Sequence, residues 1–360
     1  MKKNKILVII QRSNGDVFFS GSLINNLKKY FLDCQIDLLI NDDTIQIAKI
    51  IPGINKIIQF SYKKKDFNRW KQEREIFKKI YRKYNLAINL TASDRSVLYS
   101  IIAANKSVSA VEEKNAKSWW KKLFLTHFYT FDTNKHIIVN NLKPLEFFGI
   151  KYEKKVSSIP VSRNCLIDVS NKLKNLDVEN FLIFHPSSQY NYKIYPQEKR
   201  NKLLNLLEKL EIPIIVSGGN SKIDLQIKDT IPKGRNIINL IGETSIEEFI
   251  GLSHLSMGYI GMDTLNMHIA ASQNKRVFAI FGPTNLKMWS PWSNISMSST
   301  NGDSHTHEYE NITIFQADLP CVPCGKAGCN DRHDESLCLN HIDPELVYRK
   351  VRNFINDQQI

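Results

Sequence analysis

Short, unbroken apolar runs alternate with longer amphipathic stretches along the chain. Ile6–Ile10, Ile36–Ile40 and Leu86–Leu90 read as strands buried on both faces, because they are brief, continuous and rich in Ile, Leu and Val. Between the first two, Phe18–Phe31 places Phe19, Leu23 and Leu27 at helical spacing. The second half repeats the theme. Phe181–His185, Ile214–Ser217, Ile237–Ile241, Gly258–Gly261 and Val277–Phe281 are expected strands, with helices expected over Arg200–Leu210 and Ser245–Leu255. Strand–helix alternation predicts parallel sheets. The expected organisation is two Rossmann-like α/β domains facing a cleft. They cover residues 1–165 and 175–340, are joined near Arg163–Asn175, and are followed by a C-terminal helix over 341–360.

Parallel sheets bind ligands at the carboxyl ends of their strands, so the residues just past each strand carry the candidate chemistry. Ser13-Asn14-Gly15-Asp16 follows the first strand. Gly15 permits a tight turn. Asp16 is either the cap of the next helix, which spacing alone favours, or a carboxylate at the mouth of a cleft. Past Phe181–His185 come Ser187, Ser188 and Lys193, two hydroxyls and an ammonium suited to phosphate oxygens. Gly218-Gly219 follows Ile214–Ser217 and allows a nucleotide to approach backbone, or simply makes a sharp turn. Asp263-Thr264 follows Gly258–Gly261, with His268 one helical turn further on. The amides that open that helix suit an anion. No Asp-x-Asp pair occurs, which disfavours a site holding Mg²⁺ through paired carboxylates, and there is no Walker or G-x-G-x-x-G loop.

Composition changes the picture in two ways. The 360 residues are 42% hydrophobic and 24% charged, a globular balance, and no apolar run approaches the roughly 20 residues of a membrane span. The run Ile6–Ile10 is too short for a signal-peptide core, so a cytosolic location is expected. The net charge of +13 is uneven: residues 1–170 hold 30 Lys/Arg against 15 Asp/Glu, and the remainder holds 19 against 21. An anionic partner for the first half is expected, or merely a lysine-rich soluble surface. No helix-turn-helix, RNA-recognition or OB pattern accompanies the charge, so nucleic acid is not expected as a partner.

The pieces Ile6–Asp16, Ile50–Ile54, His185–Pro196, Ser217–Gly219, Asn239–Ser245, Gly261–Ala271 and Phe281–Thr284 together resemble the family 9 glycosyltransferases, the ADP-heptose:lipopolysaccharide heptosyltransferases. They fall in the family's order and span nearly the whole chain. The tail Pro320–Lys326 is similar to the subgroup that modifies the inner core. The resemblance implies a GT-B fold and an inverting, metal-independent hexosyl or heptosyl transfer. The acceptor would lie mostly on the first domain and ADP-heptose mostly on the second. It implies Asp16 as general base and Lys193 at the donor phosphates, with Ser187 and Ser188 before it. Asp263, Thr264 and His268 would form the donor signature, and Thr244 would lie beside the nucleoside. Leu265 and Asn266 stand where the family usually has Gly and then a hydrophobic residue or Pro, and Tyr195 stands where it usually has Trp. A sibling transferase with another nucleotide sugar is the alternative these departures suggest. A non-catalytic sugar-binding module is opposed by the presence of Asp16 and Lys193.

An acceptor built on lipid A is anionic and membrane-bound, which gives the basic half a use. Lys63, Lys64, Lys65 and Arg69 lead a dense cluster, and Trp119-Trp120-Lys121-Lys122 sets aromatic anchors beside lysines. Peripheral attachment to the inner face of the inner membrane is the expectation, the alternative being that Trp119 and Trp120 are simply core residues, favoured for one of the two. Four of the six cysteines read Cys321-x2-Cys324-x4-Cys329-x8-Cys338. They are either a structural zinc or, less favourably, iron site, with His333 or His341 as substitute ligand, or a loop of reduced thiols or with a disulfide pair.

Overall fold

The computed structural model describes residues 4–112, 119–300, 302, 306–332 and 334–358, with side chains throughout except at 64–67 and 69. The chain divides into two compact units, Met1–Ile159 and Pro160–Ile360. The division precedes the stretch expected as the joint. Arg163–Asn175 is instead a helix of the second unit, packed on helix Ile246–Leu255 through Val169, Cys165 and Gly251. Its Ser162 cap and its buried Val169 and Leu173 give it an apolar stripe that a free linker would leave in water.

Unit 1 is built on β1 (Lys5–Ile10), β2 (Gln35–Asn41), β3 (Lys56–Phe60), β4 (Tyr84–Asn89), β5 (Ala104–Val111) and β6 (His127–Thr130). All pair in parallel in the order β3-β2-β1-β4-β5-β6. Residues 6–10 of the central strand are at most 1% exposed, which is why that run reads as continuous apolar sequence.

Unit 2 follows with β7 (Leu182–His185), β8 (Ile214–Val216), β9 (Ile237–Asn239), β10 (Gly258–Met262), β11 (Arg276–Phe281), β12 (His307–Tyr309) and β13 (Ile312–Gln316). The order is β12-β13-β11-β10-β7-β8-β9, parallel except for β12. Leaving β12 aside, the two sheets have the same winding: the first strand lies at the centre, the next two on one side and the later three on the other. In each, strand order reverses between the first and fourth strands, β1/β4 and β7/β10. That switch point opens a crevice at the carboxyl ends, because the flanking helices leave to opposite faces. The C-terminal helix Pro344–Gln358 belongs to unit 2, where Val347, Val351 and Ile355 enter its core. Tyr195, at the expected tryptophan position, is fully buried and donates to Ile342 O at 2.6 Å, tying that helix's approach to the loop after β7.

Candidate active site

Each switch point carries a set of polar side chains, considered unit by unit. In unit 1, β1 ends at Ile10, and helix Asn14–Tyr30 begins four residues later with Ser13 as its N-cap. Asp16 is therefore not the cap that spacing favoured. It is the third helical residue, 3% exposed. Arg12 Nε lies 2.8 Å from its Oδ1, and Ser13 Oγ donates to its Oδ2 at 2.6 Å. Gly15 has open space around its missing Cβ and needs no special backbone angle, so its glycine does not make the turn.

Across the switch point, β4 leads through Asn89 and Thr91 to helix Asp94–Ala103. Thr91 Oγ1 accepts from Gln11 N at 2.9 Å, joining the two strand ends. Arg95 lies over the Phe60 ring at 3.7 Å, donates to Tyr62 OH at 2.8 Å and reaches Gln11 Oε1 at 3.5 Å. No carboxylate pairs with it among the described residues. Gln11 is 6% exposed, and its Nε2 has no hydrogen-bond partner among them. A stacked guanidinium without a counter-ion, beside a buried amide with a spare donor, suits an anionic group. Arg95 and Gln11 escaped the sequence reading because the aromatic rings that make Arg95 a fixed donor come from β3 and its exit.

In unit 2, Lys193 on the turn Asn191–Lys193 places Nζ 2.6 Å from Asp263 Oδ2. Asp263 follows β10 and is 5% exposed. Burial works against the lysine's charge, but Asp263 outweighs it and holds Lys193 above the ordinary lysine value. His268, one turn into helix Leu265–Ser272, is buried and feels both charges. Burial pushes it down to about 4; Asp263 opposes this and Lys193 adds to it. The structure thus brings Lys193, Asp263 and His268 together. Thr264 caps the same helix by backbone position, and Tyr259 OH lies 3.4 Å from its Oγ1.

The other expected donor residues are placed differently. Ser187 donates to Asp224, so its hydroxyl is already engaged. Ser188 is buried, with Tyr190 N 3.5 Å from its Oγ. Gly218 and Gly219 are small for an internal reason. A Cβ on Gly218 would lie 3.0 Å from Ile241 Cγ2, and one on Gly219 would lie 3.0 Å from Asp224 Oδ2. Asp224, which the sequence reading missed, closes a capping box with Ser221 beneath that turn. His185 was also missed. It ends β7, accepts or donates to Ser217 Oγ at 3.1 Å, lies 3.3 Å from Asn266 Nδ2, and is pushed down to about 4 by burial. Thr244 sits partly exposed between β9 and helix Ile246–Leu255.

The model for "Glycosyltransferase family 9 (heptosyltransferase)" matches residues 73–317.

The chain belongs to glycosyltransferase family 9.

It is thus a glycosyltransferase, and each unit is one Rossmann-like half of the GT-B type. Lipopolysaccharide heptosyltransferase 3 of Escherichia coli K12 is 28% identical over 289 residues, 78% of this chain and 83% of that protein. A solved family 9 glycosyltransferase from Veillonella parvula superposes with a TM-score of 0.75 at 16% identity, covering 99% of both chains. The E. coli ADP-heptose lps heptosyltransferase II structure gives 0.71 at 16% identity, covering 99% of this chain and all of that one.

The remaining expected residues of this family member divide cleanly. Lys63 and Trp119 are exposed, Trp119 by 68%, and Lys122 lies over Phe128 at 5.5 Å. Trp120 is half-buried against Val97, Val111 and Leu125. Lys121 is not a surface contact: it is 1% exposed, pairs with Asp94 at 2.7 Å and donates to Ala92 O at 2.7 Å. The helix phase turns it inward beneath the Asp94 helix. The side chains of Lys64, Lys65 and Arg69 lie outside those described. Cys321, Cys324 and Cys329 are exposed free thiols, while Cys338 is buried and pushed up to about 11 by burial and by the other three. Leu337 N donates to Cys329 Sγ at 3.2 Å. Among the described residues no three His, Cys, Asp or Glu side chains are grouped so as to hold a metal ion, and His333 lies outside them.

Proposed function

We propose that this family 9 glycosyltransferase moves a heptose from ADP-heptose onto an acceptor of the lipopolysaccharide inner core, with inversion and without a catalytic metal. The observation that carries the reading is Lys193 with Asp263 and His268 at one switch point and Asp16 at the other, in a chain of this family. The curated relatives it matches over most of their length are named as lipopolysaccharide or lipooligosaccharide heptosyltransferases.

Asp16 takes the proton of the acceptor hydroxyl as that oxygen bonds to the anomeric carbon. The bond from that carbon to the β-phosphate oxygen breaks, and ADP leaves with the electron pair. A positioned base of this kind contributes about 10²–10⁴-fold. Lys193 supplies the positive charge for the departing diphosphate, and losing such a group costs about 10²–10³-fold. His268 is neutral at pH 7 and serves as a hydrogen-bonding group rather than as a second cation. Arg95 and Gln11 receive an anionic substituent of the acceptor.

Peripheral membrane attachment belongs to the same proposal. Unit 1 carries 29 Lys/Arg against 14 Asp/Glu, and on it Trp70 is 85% exposed, Leu123 67% and Phe124 61%. No helix among the described residues is long and apolar enough to cross a membrane. Exposed aromatics among lysines suit an anionic leaflet, from the cytoplasmic side.

A sibling transferase is the second reading, favoured by Leu265 and Asn266 at the helix opening, with Asn266 turned to His185. A thermal-shift panel of ADP, UDP, GDP and their sugars separates the two. A shift with ADP and ADP-heptose is expected; a shift with UDP and none with ADP moves the assignment to the sibling. A structural metal at Cys321, Cys324, Cys329 and Cys338 is a question for elemental analysis under reducing conditions. About one zinc or iron per chain would assign it.

A further inference from the structure

We propose that Arg12 and Ser13 are positioning residues that hold the Asp16 carboxylate off its own helix and in line for proton transfer. This rests on the reading of Asp16 as the base.

Two independent observations support it. The first is the pair of contacts already described: Ser13 Oγ donates to Oδ2 at 2.6 Å, and Arg12 Nε stands as an ion pair 2.8 Å from Oδ1, a buried oxygen that accepts no hydrogen bond. Arg12 is itself held, with its guanidinium carbon 5.7 Å from the Phe131 ring centroid and its charge felt by buried Tyr129 on β6. An ionised carboxylate has about four acceptor sites, so one hydrogen bond and one ion pair leave lone pairs for a substrate hydroxyl while restricting the group's rotation.

The second is a local rule that is broken. Ser13-x-x-Asp16 is the sequence of a capping box, in which the serine accepts from the third helical amide and the acid reaches back to the serine amide. That box is built at Ser221/Asp224 and at Ser245/Glu248. Ser93 and Ser162 also cap with their side chains. Ser13 makes no side-chain cap bond at all. As at Ser221, its hydroxyl meets the carboxylate, but here the bond to the helix amide is missing and the carboxylate lies against Arg12 instead. A helix start that gives up its cap leaves amides to be satisfied elsewhere, a concession expected where the carboxylate has other work.

The chemistry gives the clamp a use. Asp16 must present one lone pair at a fixed angle to the acceptor O–H, and small misplacements of a catalytic group reduce rate with little effect on binding. The clamp therefore acts on turnover. Arg12→Gln is expected to lower kcat about 10- to 100-fold, inside the span available to a general base. Acceptor and ADP-heptose KM should stay within about twofold, and melting behaviour should be that of the wild type. Arg12→Lys keeps a charge but loses the planar guanidinium near Phe131, and is expected to be intermediate. Ser13→Ala is expected to lower kcat by a smaller factor.

Steady-state kinetics on these variants, run beside Asp16→Asn, test the idea. If Asp16→Asn is inactive while Arg12→Gln turns over like the wild type, the clamp is wrong and the base stands. If Asp16→Asn itself turns over fully, the base reading fails first. If Arg12→Gln does not fold, Arg12→Lys carries the test, and wild-type kcat there overturns the proposal. A loss confined to acceptor KM also overturns it, since that would make Arg12 a binding residue. Recovery of kcat in Arg12→Gln on adding guanidinium, with KM unmoved, is the outcome a merely structural ion pair would not produce.

Discussion

Lys193 Nζ and Asp263 Oδ2 stand 2.6 Å apart, although 70 residues separate them and they follow different strands of one sheet. The pair is what keeps a largely buried ammonium charged. Its stability contribution is fully present below the ordinary lysine value and is lost only as pH rises through the raised folded value. Donor affinity in the wild type should therefore be flat from pH 7 to pH 9. Asp263→Asn removes the main group that offsets burial at Lys193, so its affinity for ADP should fall across that window. Lys193→Met should be weak at every pH and about 10²–10³-fold slower in turnover. Calorimetric titration with ADP at the two pH values checks this; equal slopes in wild type and Asp263→Asn would break the link.

His185 and His268 make unit 2 acid-sensitive. Both are buried and pushed down to about 4, so in the range from about 6.5 to 4 the unfolded chain binds protons that the folded one refuses. Stability then falls as pH drops through that window, by on the order of 3 kcal/mol for each histidine at its lower end. Denaturant unfolding at pH 7 and pH 5 should show the loss. Of the two variants His185→Gln and His268→Gln, each should flatten part of the slope. A pH-independent midpoint would contradict both buried assignments.

Lys121 and its neighbours separate structural lysines from surface ones. Lys121→Met removes a buried ammonium bonded to Asp94 and Ala92 O, and should cost roughly 1–2 kcal/mol while leaving vesicle binding unchanged. Trp70→Ser with Trp119→Ser should do the reverse: unchanged melting and weaker sedimentation with anionic liposomes at low salt. High salt should weaken the wild type as well, because screening acts on the lysines. A wild-type chain that ignores anionic liposomes at low salt would end the membrane reading.

Arg95 is predicted to bind the acceptor. Arg95→Met keeps the apolar contact with Phe60 and removes the donors facing Gln11 and Tyr62. Acceptor KM should rise about tenfold or more, the scale of a lost charge-assisted hydrogen bond, with ADP affinity unchanged. Comparing acceptors with and without a carboxylate or phosphate locates the group it meets. An unchanged KM for every acceptor would remove Arg95 from the site.

Most of the parallel framework was legible in the residues themselves. A strand covered on both faces must be apolar at every position, so β1, β2, β4, β7, β10 and β11 announce themselves, each within a residue or two of the expected bounds. β3, β5 and β6 did not, since Lys56, Gln59, Asn105, Lys106 and Thr130 interrupt their apolar pattern. The candidate residues at strand ends were found for the same reason: the crevice of a parallel sheet lies past its apolar runs.

What the linear chain determined by itself is thus the alternation of strands and helices, the excess of positive charge in its first half, and the residue types available at each strand end. Tertiary structure alone decided which of those residues meet. Asp16 turned out to be a helical residue clamped by Arg12 rather than a cap. Ser187 is spent on Asp224, Gly218 is small because Ile241 crowds it, and Lys121 points inward. Each depends on groups brought within a few ångströms by chain winding. Hydrogen bonds and close packing act only over that range, whereas periodicity in a sequence records burial along one element at a time.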